Sequence, residues 1–143
     1  MSINTNIDDC QFIDLGQIHN RAGNITIIEG NKLIPFLVRR VYYLYDIPGG
    51  AERGGHAHKK LYQLIVAASG SFDVSLNDGF RSKICNLNHP VNGLIVLPGI
   101  WREIIHFSSG SICLVLASEL FNEADYIRDF NNFLAYRNDS SFI

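Results

Sequence analysis

A chain of 143 residues with 47% hydrophobic composition contains enough apolar material for one sizeable core, so we expect a single domain over residues 1–143. Its formal net charge of -2, from 12 basic and 14 acidic residues, provides no basic field for nucleic acid or an anionic membrane. We therefore expect no nucleic-acid and no membrane partner, and any anionic ligand must be held by a few placed arginines.

The cysteines, Cys10, Cys85 and Cys113, are far apart, odd in number and without CxxC spacing. This pattern favours reduced thiols over disulfides or a zinc site. The N-terminus is polar and acidic, and no apolar run approaches the roughly 18 residues of a membrane span. We expect a cytoplasmic location.

Most of the chain consists of short apolar stretches separated by Gly, Asn, Asp, Ser or Pro. The stretches are rich in Val, Ile, Tyr and Phe, as in YQLIVAAS, SFDVSLNDG, GLIVLPG and SICLVLAS. This rhythm predicts an all-β sandwich or barrel. A hairpin turn is expected at residues 77–79, because Asn, Asp and Gly tolerate positive φ between two strands.

The end of the chain has a different period. In NEADYIRDFNNFLAYR, Asn122 is a suitable N-cap, acidic residues follow it, and apolar residues recur at helical intervals from Tyr126 to Leu134. We expect one C-terminal helix that starts after Asn122 and packs on the sheet.

Two histidines, His56 and His58, stand one residue apart in RGGHAHKKLYQL. Alternate side chains of a strand share one face, so both imidazoles are expected to point the same way. The small residues Gly54, Gly55 and Ala57 leave room for a ligand to approach the backbone. From the spacing alone, three interpretations stay open: a metal site, a proton-transfer pair, or two polar residues on a solvated strand.

The stretch resembles the first signature of the cupin superfamily, in which two histidines one residue apart are followed by a carboxylate and a closing glycine. Here Gln63 stands in place of the carboxylate, and Gly70 closes the segment. The second cupin signature contains a histidine, but the segment PGIWR puts Arg102 in its place. Gln63 is a poor neutral ligand and Arg102 repels a divalent cation, so we expect a metal-free site in which His56 and His58 act as acid–base groups near neutral pH.

Within the metal-free cupins, the chain is similar to the sugar-nucleotide 3,4-ketoisomerases of the WxcM-like type, which act on dTDP-4-keto-6-deoxyglucose. The specific feature is the combination of R-x-Y-Y, R-G-x-H-x-H and W-R-E. The matching segments cover most of the chain in family order: AGNITIIEG, IPFLVRRVYYLYDIPGG, RGGHAHKKLYQLIVAASGSFDV, LPGIWREI, FSSGSICLVLAS and DYIRDFNNF. The resemblance implies an all-β cupin fold, an RmlC-like jelly-roll barrel or sandwich with a short C-terminal helix.

The resemblance also implies an isomerase that moves the carbonyl from C4 to C3 of the hexose, in the biosynthesis of unusual deoxy or amino sugars for surface polysaccharide such as lipopolysaccharide O-antigen. No cofactor is needed, because a base removes the proton α to the C4 ketone and the resulting enediol is reprotonated at C4. His56 matches the family's base and Tyr42 its active-site tyrosine, while His58 supports the base or positions the sugar. The candidates for binding the diphosphate or the developing oxyanion are Arg40, Arg53 and Arg102.

The strand period supports this set of residues. Arg40 and Tyr42 share one face of a predicted strand, as His56 and His58 share theirs, so one cavity can hold all four. Trp101 is at least as suited to a core or a subunit interface as to a sugar site, and we leave it out. Structural roles are expected for the remaining histidines: His19, His89 and His106.

Two departures from the family bear on the configuration at C4. Ala22 stands where a tyrosine or arginine is common, and Arg102 follows the motif tryptophan where members carry arginine or histidine. Arg102 favours the gluco over the galacto product. The family's dimers, with exchanged N-terminal strands, imply a homodimer here, and the implied small-molecule partner is a dTDP-linked keto-deoxyhexose.

Three other functions stay open at this point. A metal-dependent cupin enzyme would bind stoichiometric metal, although Gln63 and Arg102 argue against it. A non-catalytic sugar-nucleotide-binding cupin would bind its ligand without turnover. A dTDP-sugar epimerase would share the abstraction of a proton beside a ketone, but it would leave the carbonyl at C4.

Overall fold

The computed structural model describes residues 4–140 of the chain. Within that range the regular structure is mostly strand, with 3-10 turns at Ile7–Asp9 and Glu123–Asp125 and a single α-helix. The helix α1 is Phe130–Ser140, and the strands in chain order are β1 Phe12–Asp14, β2 Ile18–Asn20, β3 Gly23–Ile25, β4 Arg40–Leu44, β5 Arg53–His58, β6 Gln63–Ser69, β7 Phe72–Asn77, β8 Ser82–Leu87, β9 Asn92–Val96, β10 Trp101–Ile105, β11 Ile112–Ala117 and β12 Tyr126–Ile127.

The strands form two antiparallel five-stranded sheets and a separate two-stranded hairpin. The first sheet has the order β1-β9-β6-β11-β4 and the second the order β12-β5-β10-β7-β8, while β2 pairs with β3. Most neighbours in each sheet are distant in sequence, so the chain crosses repeatedly between the two sheets. This double sheet confirms the expected all-β sandwich.

The main core lies between the two sheets. Ile65 and Val115 from the first sheet and Val74, Leu76 and Ile104 from the second belong to one cluster of buried side chains. Along β7, buried and half-buried residues alternate at every position, as the period of a strand requires. Burial of each such side chain contributes about 1.5–3 kcal/mol, so this cluster holds the sheets face to face.

The hairpin expected at residues 77–79 is confirmed. Strands β7 and β8 pair along their whole length. Asp78 Oδ1 accepts the backbone N–H groups of Phe80 and Arg81 at 2.9 and 2.8 Å. Gly79 has a φ of 91°, which an L side chain rarely adopts, so the turn needs the glycine that the sequence supplies there.

The C-terminal helix begins later than the sequence pattern predicts. Asn122 does accept the N–H of Ala124 at 3.1 Å, but it caps a 3-10 turn. Strand β12 follows and pairs with β5, and the α-helix starts only at Phe130. The prediction was wrong for residues 123–129, because pairing with β5 satisfies backbone groups that a helix would otherwise have paired.

Helix α1 covers part of the second sheet. The buried Phe133 packs against Trp101, with ring centroids 5.6 Å apart, and both belong to a small cluster with Ile127. Trp101 is therefore a core residue. Arg137 donates a hydrogen bond to the Gly99 carbonyl at 3.0 Å and anchors the helix to the loop before β10.

No helix within residues 4–140 is long and apolar enough to cross a membrane.

Candidate active site

A cavity of about 350 Å³ is lined by residues of both sheets. Its apolar lining includes Ile65, Ile104 and Val115, which also belong to the main core, so the cavity lies directly on the core. A largely apolar cavity with a few converging polar groups is typical of a small-molecule site. The polar and aromatic residues that line it are Arg40, Tyr42, Arg53, His56, Gln63, Arg102, Tyr126 and Arg128.

A bulge in β5 lies next to His56. The register between β5 and β10 shifts between the pair of His56 with Arg102 and the pair of Arg53 with Ile104. Gly54 lies in this irregular stretch with a φ of 85°, a conformation that strains an L side chain. Gly54 is therefore needed for its backbone conformation as well as for the space that it leaves beside the histidines.

The two histidines contact each other. Their Nε2 atoms are 3.1 Å apart and their rings meet at 90° with centroids separated by 4.8 Å. His56 lines the cavity, whereas His58 is fully buried and is not one of the lining residues. The structure therefore brings both rings together, but only His56 of the two faces the cavity.

Asp125 binds His58 from the other side and was not singled out by the sequence analysis. His58 Nδ1 lies 3.0 Å from Asp125 Oδ2, and Asp125 Oδ1 accepts the N–H of Lys60 at 2.7 Å. The ring of Tyr126 packs against that of His58, with the centroids 4.3 Å apart and the ring planes tilted by 58°. Both contacts follow from the pairing of β12 with β5. This pairing is long-range, and it lies in a stretch of sequence whose apolar spacing predicts a helix.

Burial keeps both imidazoles neutral. Burial, with the positive charges of Arg102 and Arg128, lowers the pKa of His56 to about 3. Burial and Arg102 lower the pKa of His58 in the same direction. The prediction that the two histidines titrate near neutral pH was wrong, because their burial depends on the fold and could not be judged from the sequence. At pH 7 each ring is uncharged and carries a lone pair that can accept a proton.

A row of hydrogen bonds connects Tyr42 to Arg102. Gln63 Nε2 donates to the Tyr42 hydroxyl at 3.0 Å, and Gln63 Oε1 accepts from Arg102 Nη1 at 2.6 Å. Arg102 is 1% exposed, and its Nη2 donates to the Ile100 carbonyl at 2.9 Å. Arg102 Nε is buried and has no hydrogen-bond partner among the described residues.

Both ends of this row are set up to donate hydrogen bonds. Burial lowers the pKa of Arg102 to about 10, so the guanidinium is still cationic at neutral pH. Burial raises the pKa of Tyr42, although Arg102 opposes the shift, so the phenol stays protonated. Because Gln63 donates to the Tyr42 oxygen, the Tyr42 proton is left for an acceptor in the cavity.

The donor set of this cavity does not fit the metal ion that many cupins hold. The oxygen of Gln63 is bound by the Arg102 guanidinium, and a buried cation there repels a divalent ion. Within residues 4–140, no group of three or more His, Cys, Asp or Glu side chains could hold a metal ion. The polar groups present are suited to binding anions and moving protons.

The three arginines predicted to bind substrate all line the cavity, at different depths. Arg102 is buried and Arg53 is exposed. Arg40 is half-buried, with its guanidinium carbon 5.4 Å from the centre of the Tyr42 ring and its Nη2 3.5 Å from the Tyr126 hydroxyl. The cavity is therefore positively charged from its buried part to its surface.

Arg128 is a further cation that the sequence analysis missed. It lines the cavity, and its guanidinium carbon lies 4.1 Å from the centre of the Tyr126 ring. Two of its nitrogens donate to the carboxylate of Glu123 at 2.6 and 2.9 Å. Arg128 and Asp125 flank β12, and their positions could not be predicted because the apolar spacing of this stretch indicates a helix.

Two antiparallel sheets around a cavity with neutral histidines, a tyrosine and several arginines define a cupin-type acid–base enzyme. The chain belongs to the FdtA family, described as WxcM-like, C-terminal, whose model matches residues 8–138.

Similar proteins agree with this assignment. The TDP-4-oxo-6-deoxy-alpha-D-glucose-3,4-oxoisomerase of Aneurinibacillus thermoaerophilus is 44% identical over 126 residues, which cover 88% of this chain and 91% of that protein. A 3,4-ketoisomerase from Helicobacter canadensis superposes with a TM-score of 0.89 at 40% identity, covering 92% of this chain and 98% of that one. QdtA, a sugar 3,4-ketoisomerase from Thermoanaerobacterium thermosaccharolyticum solved in complex with TDP, gives 0.88 at 38% identity, with coverage of 91% and 95%. The ketoisomerase resemblance and the cupin fold are thus confirmed.

Proposed function

We propose that this protein is a 3,4-ketoisomerase of deoxysugar biosynthesis that moves the carbonyl of TDP-4-keto-6-deoxyglucose from C4 to C3. The observation that carries the proposal is the placement of His56 in one cavity with the row of Tyr42, Gln63 and Arg102. The oxoisomerase and ketoisomerase relatives support the reaction, and the TDP bound to QdtA supports the nucleotide.

His56 is the proposed base for the first step. The C3 proton is acidic because it is α to the C4 carbonyl, and His56 is neutral and lines the cavity. When His56 takes this proton, the C3–H electron pair forms a C3–C4 double bond and the carbonyl π electrons move to the C4 oxygen. The product of this step is an enediolate, and no external oxidant is involved.

Tyr42 and Arg102 stabilise the charge that develops on the sugar oxygens. The Tyr42 hydroxyl has a proton to donate, and Arg102 carries a positive charge in a buried setting where its field is little screened. The C3 hydroxyl proton then passes to the negatively charged C4 oxygen, with the Tyr42 hydroxyl as the relay, and the C3–O electron pair forms the new carbonyl while the C3–C4 double bond takes up a proton from water at C4. His56 returns the proton it took to water, so the numbers of protons and electrons are unchanged overall. His58 supports His56 throughout, since their Nε2 atoms are in contact.

Arg40 and Arg53 are assigned to the diphosphate. Arg53 is exposed where it lines the cavity, and Arg40 is half-buried beside Tyr42. Guanidinium groups bind phosphate oxygens through paired N–H donors. Arg102, which is buried next to the core, is assigned to the sugar. This assignment places the nucleotide at the exposed end of the cavity and the hexose at the buried end, next to His56.

The test is an NMR spectrum of the product that forms from TDP-4-keto-6-deoxyglucose. We expect a 3-keto sugar, with the gluco configuration at C4 because Arg102 follows the motif tryptophan. A carbonyl still at C4 with an inverted neighbouring carbon would identify an epimerase. Tight binding of the sugar nucleotide without turnover would identify a binding module. Loss of turnover on treatment with a chelator would contradict the metal-independent mechanism.

We further propose a homodimer with exchanged N-terminal strands. Among the described residues β2 and β3 pair only with each other, and Ile18 and Ile25 on this hairpin are 56% and 58% exposed. Strand β4 pairs only with β11 among the described residues, so it is an edge strand of the first sheet, and it exposes Val41 and Tyr43. Apolar side chains on a free hairpin and a free sheet edge fit a second copy of the chain that covers both.

Light scattering after gel filtration tests the dimer. The wild-type protein should have twice the chain mass of 16.1 kDa. Val41→Lys and Ile25→Lys should shift the mass toward one chain, because each places a charge in the proposed interface. Ile84→Lys is the matched control, since Ile84 is 60% exposed on the edge strand β8 of the other sheet. A wild-type monomer, or equal effects of all three substitutions, would contradict the proposal.

A cytoplasmic location is proposed from the thiols. Cys10, Cys85 and Cys113 are free and buried, which suits a reducing compartment. Burial raises the pKa of Cys113 to about 12, so this thiol is chemically inert. Cell fractionation should recover the protein with cytoplasmic markers, and recovery from a secreted fraction would refute this.

A further inference from the structure

A row of three side chains leads from the interior of the protein to the cavity. Asp125 Oδ2 is 3.0 Å from His58 Nδ1, and His58 Nε2 is 3.1 Å from His56 Nε2. Of the three, only His56 lines the cavity, so the hydrogen-bonded connection from Asp125 to the cavity runs through His58.

The carboxylate of Asp125 is held in one orientation. Its Oδ1 accepts the N–H of Lys60 at 2.7 Å, while its backbone carbonyl accepts the N–H of Lys59 at 2.9 Å. Its side chain is only 11% exposed. With one oxygen held by the Lys60 amide, the other is fixed against His58.

This arrangement determines where the histidine protons lie. A carboxylate only accepts hydrogen bonds, so His58 Nδ1 carries the proton and a neutral His58 has its lone pair on Nε2. His58 Nε2 therefore accepts a hydrogen bond from His56. In the opposite tautomer, His58 Nε2 would carry the proton and would donate a hydrogen bond to the lone pair of His56 Nε2. If His56 were then protonated, two N–H groups would face each other across this contact.

The arginines around His56 make the hydrogen bonds from Asp125 through His58 important for proton transfer. Arg102, Arg128 and Arg40 each lower the pKa of His56, which disfavours the cation that forms when His56 takes the C3 proton. Within residues 4–140, Asp125 is the carboxylate hydrogen-bonded to the histidine pair. It supplies the negative charge that stabilises the protonated pair, one ring away from the new proton.

We infer that Asp125 is a positioning residue of the isomerisation: it fixes His58 as a hydrogen-bond acceptor, so that His56 is free to take a proton and is stabilised once it has done so. The inference rests on the proposed function and deepens it. Asp125 lies outside the motifs R-x-Y-Y, R-G-x-H-x-H and W-R-E.

Asp125→Asn tests the inference with almost no change in shape. The Lys60 amide still requires an oxygen, so the side-chain NH2 of the new asparagine must face His58 Nδ1 and donate to it. His58 then carries its proton on Nε2, the wrong position. We expect kcat to fall by about 10²–10⁴-fold, as when the third member of a catalytic triad is made neutral. KM and TDP affinity should change by no more than a few-fold, because Asp125 does not line the cavity.

The tautomer itself can be measured without any substrate. Long-range 1H–15N NMR of the wild-type protein should show His58 protonated at Nδ1, and in Asp125→Asn it should show protonation at Nε2. Asp125→Glu keeps a carboxylate and should restore the Nδ1 tautomer, with at least a tenfold gain in kcat over Asp125→Asn. Asp73→Asn is the matched control, since Asp73 also contacts a histidine Nδ1, at 2.7 Å, but neither residue of that pair lines the cavity. Its kcat should stay within about twofold of wild type.

The inference is overturned if His58 has the same tautomer in wild type and Asp125→Asn, or if kcat falls only as far as the folded fraction does. It is also overturned if the loss appears in KM with kcat unchanged. Failure of the proposed function gives a different result: the wild-type protein would then not convert TDP-4-keto-6-deoxyglucose, while the NMR measurement would still decide whether Asp125 sets the tautomer.

Discussion

Two histidine and aspartate pairs in this molecule have contacts of similar length and very different surroundings. In the buried pair, His58 Nδ1 is 3.0 Å from Asp125 Oδ2, and in the exposed pair, His106 Nδ1 is 2.7 Å from Asp73 Oδ2. The side chain of His58 is 0% exposed and that of His106 is 66% exposed. The shorter contact is not the stronger constraint, because water competes for the exposed imidazole and is excluded from the buried one.

The two pairs also differ in what they connect. The buried pair continues from His58 Nε2 to His56 and so reaches the cavity. The exposed pair continues to Asn86, which donates to Asp73 Oδ1 at 2.8 Å, and none of these three residues lines the cavity. The same two residue types therefore serve chemistry in one place and a local surface contact in the other.

The largest expected effect comes from removing the residue that connects the buried pair to the cavity. His56→Asn should lower kcat by about two to four orders of magnitude, since a general base contributes that much, while TDP affinity stays within a few-fold. Exchange of the substrate's C3 hydrogen with deuterated water measures the abstraction step directly. Wild-type exchange in His56→Asn would show that another group, Tyr42 or His58, is the base.

The next largest effect is expected at Arg102, and a second buried arginine provides its control. Arg102→Ala should lower kcat by about 10²–10³-fold, as expected for loss of a donor to a developing oxyanion. Arg137→Ala removes an arginine that is 5% exposed and donates to the Gly99 carbonyl, outside the cavity lining. It should lower the melting temperature with kcat of the folded enzyme nearly unchanged. Equal losses of melting temperature and unchanged kinetics in Arg102→Ala would mark that arginine as structural.

A smaller effect is expected from the Tyr42 hydroxyl. Tyr42→Phe removes one hydrogen bond to a charged intermediate, worth about 1.5–3 kcal/mol, which corresponds to a loss of about 10–160-fold in kcat. Tyr45→Phe is the matched control, because Tyr45 is 61% exposed and does not line the cavity. Steady-state kinetics of both variants suffice, and equal rates would remove Tyr42 from the mechanism.

The fold and those site residues that lie on the longer strands could be predicted from the sequence. Strand period and turn residues predicted the double sheet and the β7–β8 hairpin, because both depend on local spacing. The family motifs led to His56, Tyr42 and Arg102, which the structure brings to one cavity. These residues lie on strands whose alternation can be read directly from the chain.

The part of the site contributed by residues 125–128 could not be predicted in this way. Asp125, Tyr126 and Arg128 lie in a stretch whose apolar spacing is helical, and only pairing with distant β5 makes part of it a strand. The neutral state of the histidines also could not be predicted, because it depends on burial and on arginines from other strands. Long-range pairing and desolvation are properties of the folded molecule and are not encoded in local spacing.

The smallest expected effect is at the exposed pair, and it depends on pH. Hydrogen bonds from Asn86 and then His106 hold the pKa of Asp73 below its ordinary value, so the folded state favours the ionised carboxylate. This contribution to stability is present above the pKa of the unfolded chain and is lost as the pH falls through the lower folded value. Asp73→Asn should therefore cost under about 1 kcal/mol at pH 7, and the difference from wild type should shrink as the pH is lowered. Urea unfolding of both proteins between pH 7 and pH 4 measures this, with kcat at pH 7 as the second readout. A difference that grows toward acid pH, or a loss of kcat comparable with that of the buried pair, would show that the two pairs are not as distinct as their burial implies.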